Sequence, residues 1–191
     1  MNKADRVDPR VARTRVLLQT AALELAAERD LDKITIAHVA ERATINRATV
    51  YQHYRDRDEL FLEAMEGELT ALTAVVARCP LTTMPDEMPQ AMVGVFQHVE
   101  ANLVLYQRML GPCGSARFID RLHRLVAEAA VQQLTETGTR TPDNPEVQMQ
   151  ADCSAGAFIG LLRHWLLGPE VQPAERAAAT AWRALVRSDR R

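Results

Sequence analysis

The chain has no apolar run near the roughly 20 residues that a bilayer crossing needs. Its longest candidate, Ala155 to Leu162, is cut off by Arg163 and His164. The start, Met1-Asn2-Lys3-Ala4-Asp5, leads into charge and lacks an apolar signal core, so a cytoplasmic protein with no membrane partner is expected. Only three cysteines occur, Cys79, Cys113 and Cys153. They are too scattered, and odd in number, for a disulfide framework or a zinc pattern, and reduced thiols are expected. A Gly-rich phosphate loop, metal-ligand spacing and a nucleophile motif are all missing. No catalytic residue, metal or cofactor is therefore expected. Nor does any segment sustain period-2 alternation with β-branched enrichment, and no repeat is evident. An all-α chain is what these absences leave.

Excess charge is lacking too. The net charge of the 191 residues is -2, which is neutral ground for a nucleic-acid partner. Residues 1–60 carry 11 Lys+Arg against 10 Asp+Glu, and residues 61–191 carry 12 against 15. More telling is that Lys3, Arg6, Arg10, Arg13 and Arg15 crowd one end, where they add non-specific attraction for phosphates. With 47% apolar residues, a buried core is within reach.

What is present is helical periodicity. Residues 1 to about 9 read as an arm, and Pro9 suits the first turn of a helix running to Arg29. Its apolar stripe is Leu18, Ala21, Ala22 and Leu25, with Leu31 and Ile34 folding back as core. Asp56, with Glu59 three residues on, has the form of a capping box opening a long helix to about Ala77. A proline-containing loop over 79–89 precedes a helix from Gln90 to Leu110, with a break placed near Asn102. Gly111-Pro112 and Gly138 bracket the next helix, from about Arg117 to Thr137. Two more follow, Glu146 to Leu167 and one starting at Pro173, the last with Trp182, Leu185 and Val186 inward. About nine helices are expected, as an N-terminal domain over 1–55 and a C-terminal one over 56–191.

One stretch has a different character. From Thr35, Ile36, Val39, Ala40 and Ala43 recur at helical spacing behind a threonine cap. Asn46 then restarts a helix, with Ile45 before it and Val50 at its fourth position as a hydrophobic staple. Arg47, Ala48, Thr49, Tyr51 and Gln52 fall on its first turns. That is a short helix, a tight turn and a second helix with a polar outward face, the arrangement that enters a DNA major groove. A run such as Asn46 to Tyr54 is poor sequence for an ordinary helical bundle, though Tyr54 itself reads as core. His38 reads as solvent-facing.

On these residues the stretch resembles the DNA-binding domain of TetR-family (TetR/AcrR, tetracycline-repressor-like) transcriptional regulators. The matching positions are Thr35, Val39, Ala40, Ala43, Ile45, Thr49, Val50, Tyr51, His53, Tyr54, Arg57 and Leu60. The likeness is close over about the first 75 residues and holds beyond them in helix number, order and length. It implies that Thr35, Tyr51, His53 and Arg57 hold phosphates. Arg47, Ala48 and Gln52 would then lie nearest the base edges, with Thr49 at the boundary. Chemistry agrees, since arginine pairs bidentately with guanine and glutamine with adenine. Departures are Thr44, Asp30 and Ala48 where the family has glycine, and Arg57 where it has lysine. Because a β-branched residue disfavours the left-handed region, the turn at Thr44 is expected to take another shape.

The resemblance also implies a homodimer on an inverted-repeat double-stranded DNA operator, released as a repressor by a small-molecule effector. In the family the last two long helices pair with their copies as a four-helix bundle, and Ala155, Gly156, Ala157 and Gly160, followed by Trp165 and Trp182, suit that face. They equally suit close packing inside one chain. Phe96, Tyr106, Met109, Phe118 and Trp165 are candidates to line the effector pocket, or are plain core. His98, His123 and His164 stand on separate helices with no partner at metal-ligand spacing. Two other readings stay open: a helical protein-interaction module, and an all-helical enzyme without DNA binding.

Overall fold

The computed structural model describes residues 8–80, 87–136 and 138–189, with side chains to Leu185. The expected arm with Lys3 and Arg6, most of the 79–89 loop and the inward position of Val186 lie outside what is described. Among the described residues there are ten α-helices and no strand. In order they are α1 (Pro9–Glu28), α2 (Ile36–Arg42), α3 (Arg47–His53), α4 (Arg57–Ala64), α5 (Glu66–Val76), α6 (Gln90–Ala101), α7 (Leu103–Leu110), α8 (Ala116–Thr135), α9 (Pro145–Leu166) and α10 (Ala174–Asp189). A short 3-10 turn, Leu31–Lys33, sits between α1 and α2.

Local chemistry accounts for most boundaries. Asp8 caps α1 by accepting from the Arg10 N–H, with Pro9 at the first helical position. Asn144 and Pro145 repeat that device at α9, and Ser115 caps α8 from a buried position. Gly138, at φ +69°, follows the end of α8, a conformation only glycine adopts freely. The Asn102 break is observed, as α6 gives way to α7 there.

The long helix expected from Asp56 to Ala77 is in fact two. Met65 (φ −93°, ψ −2°) ends α4 and starts α5, with its side chain fully buried. Neither proline nor glycine stands at the position, so sequence pattern alone missed the break. Asp56 is the cap, accepting from the Glu59 N–H at 2.8 Å. Glu59 does not return to the Asp56 N–H but accepts from the Arg55 N–H at 2.7 Å, one residue further back.

Leu18, Ala22 and Leu25 of α1, Val39 of α2, Val50 of α3 and Leu60 of α4 belong to one buried apolar cluster that continues through α5 to α10. α8 packs along α9, α10 lies on α6, and α1 touches α2, α4 and α7. The end formed by α2 and α3 is thus seated on α1, and α1 on the larger helical body. Among the described residues no helix is long and apolar enough to cross a membrane.

Candidate nucleic-acid interface

Two caps and one turn set the geometry of α2 and α3. The Thr35 hydroxyl accepts from the His38 N–H at 3.2 Å while His38 Nδ1 accepts from the Thr35 N–H at 3.3 Å, a reciprocal capping box. His38 is therefore half-buried against the cap rather than simply solvent-facing. At the turn, Thr44 stands at φ 55°, so the expectation of another shape is overturned. The Ile45 N–H donates to the Ala40 carbonyl at 2.9 Å and the Thr44 N–H to the Glu41 carbonyl at 3.0 Å. These are the two bonds of a Schellman ending, and they require a left-handed residue at Thr44 whatever its side chain. Asn46 then caps α3, accepting from the Ala48 N–H at 2.8 Å.

With Val50 and Tyr54 buried, the opposite face of α3 is fixed outward. Arg47, Ala48, Tyr51 and Gln52 are exposed, and Thr49 and His53 are half-buried beside them. The Arg47 guanidinium lies 5.5 Å from the Tyr51 ring centroid and donates to its hydroxyl at 3.1 Å. Among the described residues no carboxylate pairs with Arg47, so its charge is free for an outside acceptor. Thr35 is exposed at the start of α2. Seven of the eight positions named from the sequence are thus gathered around α3 and the α2 cap.

Arg57 is the eighth, and its guanidinium points elsewhere. It donates to the Ile34 carbonyl at 3.1 Å, to the Leu31 carbonyl, and to Asp58 at 3.4 Å. The side chain ties the start of α4 to the turn before α2. Nothing in the local spacing announces this, because the acceptors are backbone atoms more than twenty residues away.

Beneath α3, the Tyr54 hydroxyl accepts from Gln19 Nε2 at 3.1 Å, with the Arg15 guanidinium 5.5 Å from the ring centroid. Glu63 accepts from Gln19 at 2.7 Å and from Arg15 Nε at 2.8 Å, which raises the arginine pKa further above neutrality. This network holds the end of α3 to α1 and α4. An ion pair between Asp30 and Arg108 joins the α1–α3 end to the helical body, and two more brace α4 and α5 against α8. Asp30 accepts from Arg108 of α7, Arg117 of α8 donates to Asp56 at 2.8 Å, and Arg121 donates to Glu66 at 2.7 Å. Hydrogen bonding to Lys33 and the charge of Arg108 hold the Asp30 carboxyl below its usual range. Each pair is partly exposed, so water and salt screen most of its attraction. Their value is positional.

The five pocket candidates are all buried: Phe96, Tyr106, Met109, Phe118 and Trp165. Phe96 and Trp165 pack ring to ring at 4.9 Å and line a cavity of about 390 Å³ with His164 and Ala181. Tyr106, Met109 and Phe118 line no part of it. Tyr106 instead joins a polar group unforeseen in the sequence. Its hydroxyl lies 3.0 Å from His98 Nε2, which is 3.4 Å from Glu68, and Glu68 accepts from Asn102 at 2.9 Å. Burial pushes the Tyr106 phenol pKa up. Among the described residues no group of three or more His, Cys, Asp or Glu side chains is placed to hold a metal ion.

On α9, Gly156, Ala157 and Gly160 are exposed, while Ala155 is buried within the chain. Trp165 and Trp182 are buried as well, so neither belongs to the outer face. Met149 at 67% exposure and Leu167 at 41% flank the small residues.

The pattern of bacterial regulatory proteins of the tetR family matches residues 18–64, and that of a transcriptional regulator C-terminal region matches residues 86–183. YxbF of Bacillus subtilis (strain 168), an uncharacterized HTH-type transcriptional regulator, is 24% identical over 178 residues. The match takes in 91% of this chain and 44% of YxbF, so the chain spans less than half of that relative's length. The crystal structure of RolR in complex with resorcinol is similar at a TM-score of 0.60 and 24% identity, over 92% of this chain and 88% of that one. A TetR transcriptional regulator from Streptococcus agalactiae 2603V is similar at 0.64 and 22%, over 92% and 94%. These likenesses show the fold, which is all-helical in each. Matched in both its halves, the chain belongs to the tetR family of bacterial regulatory proteins, helix-turn-helix regulators of transcription.

Proposed function

We propose that the protein is a homodimeric, ligand-responsive repressor that binds an inverted-repeat operator in the cytoplasm. Residues to 55 form the reading head, and residues from 56 form the regulatory and dimerising body. The observation that carries the reading is the outward face of α3, where Arg47, Ala48, Tyr51 and Gln52 are exposed on a helix capped at Asn46 and anchored by Val50. Arg47 and Gln52 read base edges, Ala48 meets a thymine methyl, and Thr49 stands at the boundary. Thr35, Tyr51 and His53 take phosphates. Arg57 serves them at one remove, by bracing the 31–34 turn through its carbonyl contacts.

Dimerisation runs through α9 and α10. Exposed Met149, Cys153, Gly156, Gly160 and Leu167 recur at spacings of three, four and seven along α9, the period of a helical seam. The small side chains of Cys153, Gly156 and Gly160 let a second copy approach closely. Two α3 helices would then meet successive major grooves about 34 Å apart. An effector bound among α5 to α10 favours a conformation that no longer matches this spacing. RolR is seen with resorcinol, a small aromatic molecule, which supports an effector of modest size here. Displacement reaches the reading head through the Asp30–Arg108 ion pair and through α4, whose start Arg117 ties to α8.

Selection from random duplexes tests the reading. The expected product is an inverted repeat with half-sites one helical turn apart, bound at nanomolar to micromolar concentration and weakened by salt. Failure to enrich any sequence would remove the DNA reading and return the choice to a protein-interaction module.

A further inference from the structure

The outer face of α9 carries two charges of opposite sign that the chain itself leaves unused. Asp152 is exposed and Arg163 half-buried, and neither forms an ion pair among the described residues. Where they stand on the helix matters as much as their charge. At about 3.6 residues per turn, Met149 and Leu167 fall on one line along α9, through the middle of its exposed face. Gly156 and Gly160 flank that line, one on each side, and the midpoint of both pairs is position 158. Asp152 lies on the edge nearest α8, with whose residues it lines a groove. Arg163 follows about three turns later and so stands on the same edge, beyond the midpoint.

A face arranged in this way is complementary to itself. A two-fold axis through the midpoint and perpendicular to α9 exchanges the two ends and keeps each edge on its own side. It sets Met149 against Leu167 of the partner subunit, and Asp152 against Arg163 of the partner subunit, each contact occurring twice. Parallel helices would leave Asp152 and Arg163 of the partner subunit about 16 Å apart along the axis. The glycines agree with a close approach from outside. A Cβ added at Gly156 or Gly160 would meet no atom of this chain within 4 Å. Internal packing therefore gives no reason for glycine, which weakens a helix interior.

We infer that a second copy of this chain docks here with its α9 antiparallel, held in register by two ion pairs, each between Asp152 and Arg163 of the partner subunit. The inference rests on the reading of α9 as a dimer seam, and adds its direction, its register and the charges that fix them. Ion pairs at the rim of an interface chiefly set register and reject wrong alignments. A slip of one turn along the seam would part both pairs at once.

Sedimentation equilibrium of the full chain, without DNA, measures the monomer–dimer constant. Asp152→Arg and Arg163→Asp should each weaken the dimer about threefold to thirtyfold, because each sets like charges together at two places. The double variant, with both charges exchanged, should regain most of the natural affinity. Raising the salt from about 0.05 M to about 1 M should weaken the natural dimer. The same salt should act much less on a variant with both Asp152→Asn and Arg163→Gln. If a charge variant does not fold, the salt response of the natural chain still decides. Mild oxidation should not join the two copies of Cys153, which the antiparallel register keeps about 15 Å apart along the axis. Single changes without effect, weakening that the exchange does not restore, a natural dimer indifferent to salt, or a disulfide between the two copies of Cys153 would each overturn the inference while the dimer reading stands. A chain that stays monomeric at every concentration removes both.

Discussion

Replacing Thr44 by glycine should stabilise the protein. Thr44 holds φ 55° because the Schellman bonds from Thr44 and Ile45 to Glu41 and Ala40 demand it, not because threonine favours it. The left-handed conformation costs a residue with a Cβ about 1–2 kcal/mol, with β-branching toward the upper end. Glycine removes that strain but gives back about 0.4–1 kcal/mol through the greater freedom of the unfolded chain. The side chain is exposed, so no packing is lost. The net expectation is a gain of about 0.5–1 kcal/mol, or a rise in Tm of about 1–4 °C for a chain of this size. Thermal and urea unfolding followed by circular dichroism, at one fixed protein concentration, measure it. Thr44→Val keeps the branching and should stay within about 0.5 kcal/mol of the natural chain. A Thr44→Gly protein no more stable than Thr44→Val would refute the claim that the turn is strained.

Arg57→Ala should lower stability by about 1–2 kcal/mol, since two carbonyls lose a charged donor at a partly exposed site. Unchanged stability with uniformly weaker DNA binding would instead assign Arg57 to a phosphate. The Asp56 carboxyl is held below its ordinary 3.8 by the Glu59 backbone N–H and by Arg117. Its folded pKa is depressed, so its contribution is complete above the unfolded value of 3.8 and is lost as pH falls through the lower folded value. Asp56→Ala should therefore flatten the acid limb of a stability-versus-pH curve, and an unaltered limb would discount the cap. Burial pushes the Cys79 thiol up to about 11, while Cys113 and Cys153 are exposed. At pH 8 a thiol reagent should label the latter two and spare Cys79, with Cys153 slowed as protein concentration rises. Concentration-independent labelling of Cys153 would argue against the α9 seam.

How far the sequence revealed these features depended on whether their cause was local. Caps at Thr35, Asn46 and Asp56 are written in neighbouring residues, and so are the stops at Asn102 and Gly138. The outward face of α3 follows from Val50 and Tyr54 alone. Features that need partners far along the chain were hidden. Arg57 carries the family's basic position, yet its acceptors are carbonyls of the preceding turn. Asp30 replaces a glycine without strain because its backbone is extended, and it meets Arg108 across the fold. Tryptophans on α9 and α10 looked alike in sequence. Only the packed structure shows that Trp165 has an acceptor and that Trp182 has none among the described residues. At Thr44, local preference pointed the wrong way, because the hydrogen bonds closing α2 outweigh one residue's dislike of its conformation.

The central claim is that the α3 face reads DNA sequence, and one titration addresses it most directly. The natural chain and Arg47→Ala are each titrated onto the selected operator and onto a scrambled duplex over a range of salt. Removal of Arg47 should cost about 1–3 kcal/mol on the operator and much less on the scrambled duplex, narrowing the gap between them. The same loss on both sequences, or no loss on either, would contradict the account.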